Sequence, residues 1–171
     1  MAARLMTYLH NQPSRRMNNH ILPIAITTPG SGKVLRALGD EVTVLLSGGQ
    51  TGGAFTMARV VTPPGGGPPP HYHTNEDEWF LVEEGRIELW RDGVWTEVPA
   101  GTAIFLPRGT PHTFRNCGDT PLRFILHTAP AGFEVFFERI AEACELPGGP
   151  DMRRISEIAA EHGIFFLPPQ N

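Results

Sequence analysis

The sequence predicts a mainly β protein: one barrel or sandwich of short strands, followed by helices that pack on it. Three observations carry that expectation. Short β-branched or aromatic runs recur between turn clusters from residue 41 to residue 128, the Arg91-Asp92-Gly93 link reads as a tight hairpin, and after Pro130 the apolar period lengthens from two to nearly four. A chain of 171 residues suits one such domain with a single hydrophobic core.

Taken in order, residues 1–40 show no sustained periodicity, with Pro29-Gly30-Ser31-Gly32 as a turn, and are expected to form an N-terminal arm. Residues 41–130 form the barrel core, with strands over Val42–Leu46, Ala54–Val61, Glu78–Val82, Arg86–Trp90, Val94–Val98, Ala103–Leu106, Thr113–Arg115 and Leu122–Thr128. The glycines of residues 48–53 and Gly30-Ser31-Gly32-Lys33 lack the spacing of a phosphate-binding loop and are read as turns. Asp92-Gly93 supplies the positive φ that a two-residue hairpin connection needs. Residues 131–171 are expected to form C-terminal helices and a tail packing on the barrel. Phe133, Phe136, Phe137, Ile140 and Cys144 share one helical face, and a second helix runs from Met152 to His162, with Asp151 as N-cap and Gly163 at the left-handed C-terminal position.

Composition narrows the function. Apolar residues make up 40% and charged residues 19%, and the net charge of −4 leaves no basic footprint for a nucleic acid. Two cysteines, Cys117 and Cys144, stand in no metal-type spacing and make neither a disulfide framework nor a thiolate site. The Ile21–Ile26 run that follows Arg15-Arg16 is too short, and too interrupted by Pro23, for a signal segment or a membrane span. A cytoplasmic location without membrane partners is expected.

The chemistry-bearing residues are histidines and one glutamate. His71 and His73 stand two apart, so an extended chain turns both imidazoles to one face. Glu78 has the opposite parity and can join them only if the chain breaks at Thr74-Asn75-Glu76-Asp77, a segment with turn composition. Glu76 and Asp77 are read as a solvated acidic turn. His112 follows the turn-rich Pro107-Arg108-Gly109-Thr110-Pro111.

The spacing across Gly65–Gly85 is glycine, five residues, His-x-His, four residues, Glu, six residues, glycine. Across Gly101–Asn116 it is glycine, five residues, Pro-x-Gly, two residues, His, three residues, Asn. Together these segments resemble the two signature motifs of the cupin superfamily. The resemblance implies a double-stranded β-helix, the jelly-roll barrel of that family, with His71, His73, Glu78 and His112 holding one divalent transition metal ion (Fe, Mn, Ni, Co, Cu or Zn) and with Gly85, Pro107 and Gly109 shaping turns. Pro130-Ala131-Gly132-Phe133-Glu134 and the late Ala-Glu-His-Gly-Ile segment are similar to small cupins described as quercetin dioxygenase-like.

A set of three imidazoles and a carboxylate leaves positions open for dioxygen or a substrate, unlike a closed, sulfur-rich structural zinc site. On the family resemblance the leading expectation is a metal-dependent dioxygenase that cleaves a C–C bond of a small oxygen-rich substrate, with Glu78 doubling as a catalytic base. The alternatives are a metal-dependent isomerase, epimerase or decarboxylase, and a non-enzymatic small-molecule-binding domain. Strand parity places Phe114, Phe80 and Val82 toward the interior as pocket residues and Tyr72 away from it. A homodimer is the expected assembly, with the N-terminal arm exchanged or covering a neighbour.

Overall fold

The computed structural model describes residues 21–146 and 148–168, so residues 1–20 of the expected arm and 169–171 of the tail lie outside the described residues. The chain folds as antiparallel sheets with C-terminal helices. A six-stranded sheet runs in the order β1 (Lys33–Ala37), β2 (Asp40–Leu46), β3 (Thr56–Thr62), β10 (Leu122–Ala129), β5 (Asp77–Glu84), β8 (Ala103–Leu106). Opposite it lie a three-stranded sheet, β7 (Val94–Val98), β6 (Ile87–Arg91), β9 (Thr113–Asn116), and a two-stranded one, β11 (Ile164–Phe166) with β4 (His71–His73). A bridge between His71 and His112 ties the two smaller sheets into one layer. The rings of Phe80 on β5, Phe124 on β10 and Phe114 on β9 meet at centroid distances of 4.7 to 5.6 Å, and this cluster forms the core between the layers.

Alternation of buried and exposed residues accounts for the strands. Along β10 the pattern is strict, with Leu122, Phe124, Leu126 and Thr128 facing in. The β6–β7 hairpin closes through Asp92 and Gly93 at φ 52° and 83°, with Arg91 paired to Val94. Gly85 is held at φ 90°, and a Cβ there would stand 2.8 Å from the Leu122 Cα, so the sharp exit from β5 admits no side chain.

Three elements depart from the sequence reading, one of them β11, a strand where only a tail was expected. Lys33–Ala37, placed in the arm, is a strand that pairs with β2 through Leu38 and Gly39, both at positive φ (53° and 96°). Gly48–Thr51, read as part of a turn, forms a single helical turn, α1, at whose start the Gln50 side chain accepts the Ser47 N–H at 2.9 Å.

Helix α2 (Phe133–Cys144) follows the expected face and packs against β1 and α3 (Met152–Glu161), while α3 packs on β11. Glu134 anchors α2. Its buried carboxylate accepts the Gly48 N–H (2.7 Å), the Gly132 N–H (3.1 Å) and the Thr56 hydroxyl, fixing the helix start to α1 and β3. Asp151 caps α3 by accepting the Arg153 N–H at 2.9 Å, and Gly163 ends it at φ 76°. Among the described residues no helix is long and apolar enough to cross a membrane, and Cys117 and Cys144 are free thiols.

Candidate metal centre

Main-chain bonds bring the histidines together. The His71 N–H donates to the His112 carbonyl and the His112 N–H to the His71 carbonyl, each at 2.9 Å. The Pro107-x-Gly109 turn docks beside them through the Gly109 N–H on the His73 carbonyl, at 2.7 Å. The turn that follows His73 is tethered to the end of α3: the Thr74 N–H donates to the Gly163 carbonyl (2.8 Å) and the Asn75 amide to the His162 carbonyl (2.9 Å). That tether breaks the strand between His73 and Asp77 and lets Glu78 re-enter on the interior side.

The three imidazoles converge, with one ligand nitrogen from each of His71, His73 and His112 lying within 4.8 Å of the others. All are buried, at 8%, 1% and 2% exposure. Nδ1 of His71 faces the Pro69 carbonyl at 2.8 Å, and Nδ1 of His112 faces the Thr110 carbonyl at 2.9 Å. A carbonyl only accepts, so both Nδ1 atoms carry the hydrogen and both Nε2 atoms are left to the interior. The buried nitrogens of His73 have no hydrogen-bond partner. Glu78 stands beside the group, its Oε2 3.2 Å from His112 Nε2.

Electrostatics follow from this crowding. Burial, with the neighbouring imidazoles of His112 and His73 adding to it, pushes His71 down to about 3, so it is neutral across the physiological range. Burial alone would raise Glu78, but the His112 hydrogen bond and the three imidazoles outweigh it and hold the carboxyl below its ordinary value. His112 is likewise penalised by burial, yet the Glu78 contact and the Thr110 carbonyl raise it. A neutral His71, an ionised Glu78 and the orphaned buried nitrogens of His73 are donor chemistry that suits a first-row divalent metal.

The site opens onto a cavity of about 300 Å³ whose wall includes His71 and Glu78. Phe80 and Phe114 also line it, whereas Val82, 1% exposed, sits in the core away from its wall. Tyr72 points outward and stacks on Phe165 at 5.4 Å. Sequence parity missed most of the aromatic wall, since Phe133, Phe136 and Phe137 come from α2 and Phe166 from β11. It also missed Asp40, a carboxylate on the cavity wall that burial raises to about 6. The acidic turn divides. Asp77 is a surface group paired with Arg108 at 2.8 Å, but Glu76 is buried at 5% exposure, which corrects the reading of it as solvated.

Residues 58–128 match the cupin domain family. The chain is 35% identical over 99 residues to "Polyketide synthase CurC" of Streptomyces cyaneus, an alignment covering 58% of this chain and 60% of that protein. It is 33% identical over 98 residues to "Protein SchB" of Streptomyces halstedii, covering 56% of this chain and 70% of that one. Among solved structures, the polyketide cyclase RemF from Streptomyces resistomycificus superposes with a TM-score of 0.55 at 26% identity, over 63% of this chain and 80% of RemF. The chain belongs to the cupin superfamily.

Proposed function

We propose that this chain is a metal-dependent cupin enzyme that closes or aromatises a ring in a polyketide-like substrate bearing alternating carbonyl or phenolic oxygens. The observation that carries this reading is the cavity itself: an apolar chamber rich in phenylalanine, with His71 and Glu78 on its wall and His73 and His112 clustered beside His71. Flat unsaturated rings fit such walls, and about 300 Å³ lies at the small end of ligand pockets (roughly 300–1,000 Å³). Similarity to CurC and RemF supports the substrate class.

His71, His73 and His112, with Glu78, would hold the ion, which when bound supplies Lewis-acid polarisation of a substrate oxygen. The protein's own residues do the rest. Glu78, kept ionised by its imidazole neighbours, accepts a proton from a carbon flanked by two carbonyls. That carbon bonds to a second carbonyl carbon of the same molecule, the new alkoxide oxygen is protonated, and loss of water leaves the ring unsaturated. Phenylalanines of α2 and β11 exclude bulk water and hold the chain folded on itself.

The test is a poly-β-ketone thioester offered to the metal-loaded protein under argon and under air, followed by ultraviolet absorbance and an oxygen electrode. Ring formation under argon is the expected result. Oxidative C–C cleavage, the reading the sequence placed first, uses the same site and would instead require oxygen uptake in step with product.

We also propose a homodimer acting in the cytoplasm. Trp79, Leu81 and Phe105 stand 36%, 48% and 54% exposed on the outer face of the six-stranded sheet, and the arm adds Ile21, Ile24 and Ile26 at 90%, 91% and 79%. An apolar face of this kind is covered at lowest cost by its own two-fold copy. Phe105→Glu is expected to halve the mass seen by light scattering, and an unchanged mass counts against this face.

A further inference from the structure

Two of the three converging histidines are oriented by backbone carbonyls; the third is not. His73 has neither ring nitrogen bonded, and the acceptor standing near its Nδ1 is Glu76 Oε2, at 3.7 Å. That oxygen is itself buried without a partner. The two residues are 1% and 5% exposed, so neither atom has water to fall back on. Basic groups nearby are already engaged: Arg108 bonds Asp77 through Nε and Nη2, and His162 Nε2 faces Arg139 at 3.3 Å.

We propose that Glu76 is a positioning residue for His73, accepting its Nδ1 hydrogen so that Nε2 presents a lone pair toward His71 and His112. A small rotation of either side chain brings 3.7 Å to hydrogen-bonding distance. The backbone explains why the carboxylate is there. Thr74 and Asn75 are tied to the Gly163 and His162 carbonyls, and this tether turns Glu76 inward where its composition alone would leave it in solvent. Glu76 differs from the carbonyls that serve His71 and His112 in being a side chain, so a substitution can remove this acceptor without altering the backbone. The inference rests on the reading that these histidines hold a metal ion.

The test has a metal-free arm and a metal arm, both on the full chain. In long-range ¹H–¹⁵N correlation spectra of the metal-free protein, His73 is expected in the Nδ1–H tautomer. Glu76→Ala is expected to convert it to a mixture, while Glu76→Gln, which keeps an oxygen acceptor, retains it. In Co²⁺ titrations Glu76→Ala is expected to weaken binding roughly 10- to 100-fold and Glu76→Gln only a few-fold. An Nε2–H tautomer in the wild type overturns the proposal, as does an unchanged tautomer and Co²⁺ affinity in Glu76→Ala. Should Glu76→Ala fail to fold, the wild-type tautomer decides. A wild-type chain that binds no Co²⁺ overturns the metal reading, which the tautomer result leaves separate.

Discussion

The two ends of the cavity are built differently. Its imidazole end comes from β4 and the segment just before β9, held by main-chain hydrogen bonds between His71 and His112 themselves. Its aromatic wall is gathered from β5, β9, α2 and β11: Phe80 and Phe114 meet across β5 and β9, and Phe133 and Phe137 meet within α2. Side chains at the first end can therefore change without moving the scaffold, whereas those of the second are themselves the scaffold.

The largest expected effect tests the first half of that contrast. His73→Ala or His112→Ala is expected to remove most of the metal from the purified protein while leaving the far-ultraviolet circular dichroism unchanged. Full occupancy by elemental analysis would rule out the ligand set. For the second half, Phe80→Ala is expected to cost about 3–5 kcal/mol in urea unfolding, because a side chain 3% exposed leaves a cavity between the layers, yet to retain metal. Loss of metal along with stability would dissolve the distinction.

Asp40 sharpens it further, as a charge placed on the apolar wall. Its folded pKa of about 6 lies above the ordinary carboxylate value of 3.8, so its contribution to stability is full below pH 3.8 and is lost as pH rises through 6. Asp40→Asn is expected to stabilise the protein by about 1–2 kcal/mol at pH ~8 and not at pH ~3, after allowance for partial exposure. A stabilisation equal at both pH values would place the carboxylate in solvent. The smallest effect belongs to Asp151→Ala, which removes the cap of α3 and is expected to cost about 1 kcal/mol with metal content untouched.

The convergence of the three histidines was legible because its signals are local: a two-residue period for His71 and His73, and a fixed spacing to His112. The wall was half legible. Helical phase exposed the apolar face of α2, but the sheet it meets is chosen by Glu134 reaching Gly48 and Thr56, contacts spanning most of the barrel sequence. β1 was hidden for a chemical reason, since its hairpin turns on Leu38-Gly39 and leucine at φ 53° gives no turn signal. Glu76 was misread because its burial is decided at the far end of the chain, by the carbonyls of His162 and Gly163.

The reciprocal bonding of His71 and His112 through their backbones carries a consequence for metal exchange. A zinc finger collapses without its ion because nothing else holds its ligands; here the ion would arrive at a finished socket. Were an ion bound there, the frame receiving it would be the same whichever divalent metal supply and donor chemistry selected.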